Sequence, residues 1–412
     1  MSVKTGNKTT QRTRSRSKGR AATVALALGA VTALTAAVGT VVTLKVALTV
    51  ITPVRKRPHL DVVLGADQSA GTITLKATTE SLMPGRVGLW FGHDDSYAVV
   101  GPVLRREKNT VVRTLESVYG PSVLRGRARI TGNYYTQPED LQIPYRAVSI
   151  PTELGPAPAW EFPSATGQNG LWAIAVHGWR SSREEPLRAV PLFHSMGYTS
   201  LLLSYRNDSD APASADHRYG LGGTEWKDVE AAISYAREHG AQKVVLMGWS
   251  MGGAIVLQTA LRTRHPDLIA GLILESPVID WVTTLRYQAQ LMHLPKPVTS
   301  LALKLLQSPR ASALVGLSEG IDFGELDLVH RARELSVPIL LLHSDNDGFV
   351  PPGPSQTLAR VRGDLVTFVP FTDALHTRLW NNDEHTWSEA ITTWLDHLAL
   401  AHSQPLASDA RT

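Results

Sequence analysis

Polar and apolar residues follow three different patterns along this chain. From Ala21 to Leu44 there are 24 residues without a charge, enough to cross a bilayer at about 1.5 Å per residue. From Pro58 to Leu141 short stretches rich in Val, Ile, Thr and aromatics are bounded by Gly, Pro, Asn or Asp, which predicts several strands: Gly71 to Lys76, Arg86 to Phe91, Thr110 to Leu115 and Arg127 to Thr131. From Ala147 onward, compact apolar runs alternate with segments of helical period. Strands are expected at Leu171 to Val176, Thr199 to Ser204, Lys243 to Met247, Ile269 to Leu274, Val337 to His343 and Leu365 to Val369.

Helices are expected between these strands. Ser182 with Glu185 forms a capping-box pattern before a helix running toward Met196. Thr224 precedes a segment in which Val229, Ala232, Ile233 and Ala236 share a face, and Gly240 ends it. A last helix covers about Trp387 to Leu398. Alternation of this kind implies a mainly parallel sheet with helices on both faces. The alternation breaks between about 277 and 335. There Leu285, Ala289 and Met292 share one helical face, and Pro297 opens a second helix carrying Val298, Leu301, Leu305 and Leu306.

Charge changes the reading of the N-terminus. Residues 1–57 hold eleven of the 41 bases and none of the 37 acids, so the remainder carries 30 bases against 37 acids. The basic tail lies beside the apolar run rather than on a folded face, so it reads as membrane-flanking charge and not as a nucleic-acid surface. Seven bases precede the run, which predicts a cytoplasmic N-terminus, an uncleaved signal anchor and a folded remainder facing outward. The alternative is a cleaved signal peptide, although Ala25-Leu26-Ala27 lies at the start of the run and no Ala-x-Ala follows its end. The chain contains no Cys, which excludes a thiol nucleophile, disulfides and cysteine metal sites.

The chemistry centres on Gly248-Trp249-Ser250-Met251-Gly252, set between an apolar strand and the small apolar segment Gly253 to Leu257. A strand–turn–helix of this kind presents its central Ser as a nucleophile. Such a Ser needs an imidazole to take its proton and a carboxylate to orient the imidazole. Downstream, Asp345 and Asp347 lie on the loop after Val337 to His343, and His376 lies after Leu365 to Val369. Ser250 as a plain helix N-cap, Asp345 as the acid, and His343 or His385 as the base are the competing assignments. Asp208 is a candidate for a cationic substrate group, and Arg180 and Arg183 for an anionic one. Gly92-His93-Asp94-Asp95 reads as a polar turn.

The order Ser, Asp, His resembles that of α/β-hydrolases, as do His177-Gly178-Trp179 after a strand and His343-Ser344-Asp345-Asn346-Asp347-Gly348-Phe349-Val350-Pro351, which departs from the family pattern H-G-x-x-D-x-x-V-P only at Ser344. That register selects Asp347. Glu161-Phe162-Pro163, Ser204 to Asp208 and Trp380-Asn381 are similar to a membrane-anchored or secreted bacterial branch of these serine hydrolases. The resemblance implies an α/β-hydrolase fold over residues 145–402 with a cap at about 277–335. It is preceded by a basic tail (1–20), an anchor (21–52) and a β-rich region (58–141), and followed by a disordered tail (403–412). It also implies a triad of Ser250, Asp347 and His376, with oxyanion donors from the backbone of Trp179 and Met251. An ester, thioester or amide of a small-molecule or acyl substrate would be cleaved through an acyl-enzyme, with no cofactor or metal. An acyltransferase with the same triad and a non-catalytic binding protein on this scaffold are the alternatives.

Overall fold

The computed structural model describes residues 39–53, 58–167 and 170–403. Helix α1 covers 39–51. Six strands follow: β1 (Asp61–Asp67), β2 (Thr72–Lys76), β3 (Val87–Phe91), β4 (Ser96–Arg106), β5 (Thr110–Tyr119) and β6 (Gly126–Thr131), with the short helix α2 (Thr79–Leu82) between β2 and β3. They close into a barrel in the order β1-β2-β5-β4-β3-β6. Alternate residues such as Ile73, Leu75, Leu89, Phe91 and Val111 fill its interior. Four of these strands are the ones expected. β1 and β4 carry acidic ends or a mixed pattern that hides them, yet without them the sheet would have open edges.

Arg113 of β5 has a fully buried side chain. Its guanidinium donates to the carbonyls of Gly101 (2.9 Å), Ser81 (2.9 Å), Met83 (2.8 Å) and Gly85 (2.6 Å). Burial lowers its pKa to about 10, so it remains charged at neutral pH. The Gly92–Asp95 segment is a polar turn, as expected: Asp94 accepts from His59 and Arg129, and Asp95 from Ser96 and Ser122.

The rest of the chain forms one eight-stranded sheet. Its elements are β7 (Arg146–Thr152), β8 (Gly155–Phe162), β9 (Leu171–Val176), α3 (Val190–Ser195), β10 (Thr199–Leu203), α4 (Trp226–Glu238), β11 (Lys243–Trp249), α5 (Met251–Arg262), β12 (Ile269–Glu275), α6 (Trp281–Leu291), α7 (Lys296–Gln307), β13 (Ile339–Ser344), α8 (Gly353–Val361), β14 (Val366–Phe371), α9 (Leu379–Asn382) and α10 (Glu384–Ser403). The strand order is β14-β13-β12-β11-β9-β10-β8-β7. β9 to β14 pair in parallel, and β7 and β8 form an antiparallel edge. The central strands are buried along nearly their whole length because both faces are covered. The chain leaves β9 toward β10 and returns to the other side of β9 as β11. The carboxyl ends of β9 and β11 therefore flank the switch-point crevice where ligands bind in open α/β sheets.

Local capping differs from expectation at two helices. Ser182 and Glu185 make no capping box, because the Glu185 carboxylate turns inward and accepts from the Gly178 N–H at 2.8 Å. Thr224 does not cap α4, and Glu225 instead accepts from the N–H groups of Gly220 and Gly222. In the cap, Pro297 lies in the first turn of α7. Leu301 points to solvent at 51% exposure, and Ala302 and Leu303 take the inward face.

The expected anchor is changed at its C-terminal end. Residues 1–38, which include most of the apolar run, lie outside the described residues, as does 404–412 of the expected tail. Residues 39–51 do not stand clear of the hydrolase but pack on it, with Ala47 and Ile51 completely buried. The last four carbonyls of a helix have no partner within it, and here all four are taken: Leu48 by Thr52 N, Thr49 by Arg180 Nη2 (2.8 Å), Val50 by Trp179 Nε1 (2.9 Å) and Ile51 by Tyr219 N (2.9 Å). Among the described residues no helix is long and apolar enough to cross a membrane.

Candidate active site

Ser250 lies between β11 and α5 with φ 52° and ψ −115°, a backbone conformation that costs an ordinary residue of order 1–3 kcal/mol. The turn is possible because its neighbours lack side chains. A Cβ on Gly252 would lie 2.1 Å from the Val176 carbonyl oxygen, and one on Gly248 would lie 2.3 Å from that of Gly252. Ser250 makes no side-chain cap to α5. Its Oγ instead lies 2.9 Å from His376 Nε2, and His376 Nδ1 lies 2.8 Å from Asp347 Oδ2.

The loop after β13 fixes Asp347 from behind. Its Oδ1 accepts from the N–H groups of Phe349 and Val350, both at 2.8 Å, and its side chain is fully buried. Burial works against the charge on Asp347, but the attraction of His376 and hydrogen bonds from His343 and His376 outweigh it and hold the carboxyl well below the usual carboxylate range. His343 supports this loop: Nδ1 meets Ser355 Oγ at 2.8 Å and Nε2 meets the Val350 carbonyl at 3.1 Å. Asp345 faces outward to Gln356, and His385 is 87% exposed, so neither reaches the Ser–His pair.

The segment after β9 forms the opposite wall. His177 is buried, stacked on Tyr205, with Nε2 2.8 Å from Asp208 Oδ2. Burial opposes a charged ring there, but Asp208 and the Gly178 carbonyl more than offset it and raise the pKa of His177. Asp208 is thus committed to His177 and to the Tyr205 N–H, not to a substrate cation. Arg183 pairs with Asp210 and lies over Trp160, and Arg180 lies 4.0 Å over Trp179 while donating to α1. Arg183 is thus paired with a carboxylate, whereas Arg180 has no carboxylate partner among the described residues and lines the cleft of Ser250 and His376. The backbone N–H groups of Trp179 and Met251 have no protein acceptor among the described residues.

Two features of the site had weak sequence signals. Glu275 ends the otherwise apolar β12 and is fully buried, accepting from the indoles of Trp249 and Trp387 at 2.8 Å each, with Arg188 at 3.4 Å. A lone carboxylate closing an apolar strand was its only mark. Asn381 donates to the carbonyls of Arg86 and Gly132, accepts from Arg188, and so clasps the barrel to the hydrolase behind the nucleophile.

The β-rich region reaches the site. Asp61, Thr78, Thr79 and Glu80 of its rim share a cleft with Ser250 and His376. On the cap side, Trp179 and Phe349 separate that cleft from an apolar cavity of about 300 Å³, lined in part by Leu285, Ala289 and Met292, the face expected from sequence.

Residues 62–131, nearly the whole barrel, match a domain of unknown function, and residues 189–401 match the prolyl oligopeptidase family. Two curated relatives are pimeloyl-[acyl-carrier protein] methyl ester esterases of Neisseria meningitidis. The serogroup C protein is 26% identical over 216 residues, covering 44% of this chain and 84% of the relative, and the serogroup A protein is equally identical with 69% of its length covered. Among solved structures, an esterase of Pyrococcus furiosus aligns with TM-score 0.49 and 20% identity over 64% of this chain and 94% of its own. A monoacylglycerol lipase of Paleococcus ferrophilus aligns with TM-score 0.42 and 20% identity, over 59% and 99%. The family match spans just over half of the 412 residues and contains Ser250, Asp347 and His376, so the chain belongs to the prolyl oligopeptidase family of α/β-hydrolase serine hydrolases.

Proposed function

We propose that this serine hydrolase cleaves acyl esters through an acyl-enzyme on Ser250. His376 takes the Ser250 proton as Oγ attacks the carbonyl carbon and returns it to the departing alcohol. Asp347 holds the ring in the tautomer with Nδ1–H toward Oδ2 and stabilises the imidazolium. The N–H groups of Trp179 and Met251 receive the oxyanion, and water then releases the acid.

The observation that carries this reading is the unbroken hydrogen-bonded series Ser250–His376–Asp347, opening on one side to the cleft and leading past Trp179 and Phe349 to an apolar cavity. A cavity of that character favours an acyl chain over a charged peptide, and the Neisseria relatives are named as methyl ester esterases. Labelling with a fluorophosphonate, followed by a panel of ester, thioester and peptide substrates, tests the proposal. Labelling that survives Ser250→Ala, or turnover of peptides alone, would overturn it. An acyltransferase would give transfer products when an alcohol or amine is added.

For localisation, we propose a basic N-terminus inside the cell, a span beginning at Ala21 and ending near residue 40, and the catalytic domain outside. The charge-free run and its seven preceding bases support this. Because Thr43 and Ala47 are buried, the span we propose stops short of the 21–52 anchor expected from sequence. Protease added to intact cells should reach the hydrolase, whereas a soluble mature chain beginning between residues 35 and 55 would favour signal cleavage.

A further inference from the structure

We infer that α1 is a wall of the acyl-binding site: the cavity between it and the cap holds the aliphatic chain of a medium-length acyl ester while the ester carbonyl sits at Ser250. This rests on the proposed role of Ser250 as acyl acceptor. Val46, Ala47 and Val50 line the cavity from α1, opposite the cap. Trp179 and Phe349 line both the cavity and the cleft that holds Ser250 and His376, so this pair is the wall the two spaces share, and a chain leaving the carbonyl on that side runs over its rim into the cavity. Their ring centroids are 5.7 Å apart, so the rings pack on each other, and the Phe349 centroid lies 5.0 Å from that of His376.

The wall is built into the fold. Val50 accepts from the Trp179 indole, Thr49 from Arg180, and Arg218 Nη1 donates to Thr52 Oγ1 at 3.0 Å. The indole is held by α1 on one edge and covered by Arg180 on a face. α1 therefore fixes the ring of the same residue whose backbone N–H is the proposed oxyanion donor. Ala47, with no exposed surface, is small where a larger side chain would fill the chamber. At roughly 30 Å³ per group, the volume share of a water and near that of a methylene, the cavity of about 300 Å³ takes a chain of about ten carbons. Each methylene that enters is worth about a fourfold gain in kcat/KM.

The test uses the full-length chain and p-nitrophenyl esters from acetate to palmitate. In the wild type, kcat/KM should rise by at least about a hundredfold from acetate to an optimum near decanoate and fall beyond it. Val46→Trp and Ala47→Leu should move the optimum shorter by several carbons and lower the decanoate-to-acetate ratio by about tenfold or more. Val41→Trp, on the outward face of α1, should leave the ratio as it is. Because the Ala47 variant risks misfolding, a second measurement uses wild-type protein labelled at Ser250 by a decyl fluorophosphonate carrying a terminal diazirine, fluoride leaving as the Oγ–P bond forms. Irradiation should cross-link peptides from α1, α6 or α7. Cross-links confined to the barrel rim, or an optimum unmoved in a folded Val46→Trp, overturn the inference while leaving the hydrolase reading intact. Failure of Ser250 to label and of every ester to turn over removes both.

Discussion

Replacing Asp347 by Asn tests the triad more sharply than removing it, because the loop dictates which way the new amide points. Oδ1 of Asp347 accepts from two backbone N–H groups, Phe349 and Val350. An Asn must keep its carbonyl there, which forces its NH2 toward His376 Nδ1, where Oδ2 now sits 2.8 Å away. A donor facing Nδ1 requires that nitrogen to be unprotonated, so the proton moves to Nε2 and the ring can no longer accept from Ser250. A wrong imidazole tautomer in a serine triad costs on the order of 10³–10⁴ in kcat, or about 4–5.5 kcal/mol of barrier. The same NH2 also meets His343 Nε2, which lies 3.3 Å from Oδ2, and a donor–donor contact there costs about 1–3 kcal/mol of stability. Because the folded-state pKa of Asp347 is lowered, its stabilising contribution is complete above the unfolded value near 4 and is lost as pH falls through the folded one. The stability gap between wild type and variant should therefore hold at neutral pH and narrow below about pH 4. Ester kinetics on the folded variant, with chemical denaturation at several pH values, measure both effects. A loss in kcat below about tenfold, or a larger loss in Asp345→Asn, would refute the assignment.

Three further outcomes are expected. Asn381→Ala removes hydrogen bonds to Arg86, Gly132 and Arg188, so limited proteolysis between β6 and β7 should accelerate and stability should fall by about 2–4 kcal/mol; an unchanged cleavage rate would count against the clasp. Arg113→Met strips four carbonyls of their donor and should lower stability by at least about 3 kcal/mol, read by denaturant titration. Because the pKa of His177 is raised in the folded state, its contribution is full below the unfolded value of about 6.5 and is lost as pH rises through the folded one. Asp208→Asn should flatten that decline in Tm with pH without altering KM for cationic esters, and a KM effect specific to cationic esters would restore Asp208 as a substrate residue.

The nucleophile turn was legible because its requirements are local: glycines where a Cβ collides with carbonyls, and apolar runs that can only be central strands. Asp347 and His376 were legible because each follows such a run at the same edge of the sheet. The cap face of Leu285, Ala289 and Met292 was readable from period alone. What escaped the sequence depends on partners far along the chain. Glu185 matches a capping box by spacing, but a buried N–H at Gly178 competes for its carboxylate and wins. Asp208, in a run of polar residues typical of a solvated loop, is buried by His177. The end of the apolar N-terminal run gives no local sign that its carbonyls meet Trp179, Arg180 and Tyr219.

The docking of α1 sets an order on how the chain is made. Its partners lie 129 and 131 residues downstream at Trp179 and Arg180, and the cap helix that closes the cavity ends at Gln307. At about 5–20 residues per second of synthesis, Ala47 and Ile51 wait on the order of ten to fifty seconds for the surface that buries them. Loop closure over that separation is slow compared with local helix formation. Helix α1, made before the surface that receives it, is thus among the last elements to find its place, and the cavity it walls dates from the end of folding, not its beginning.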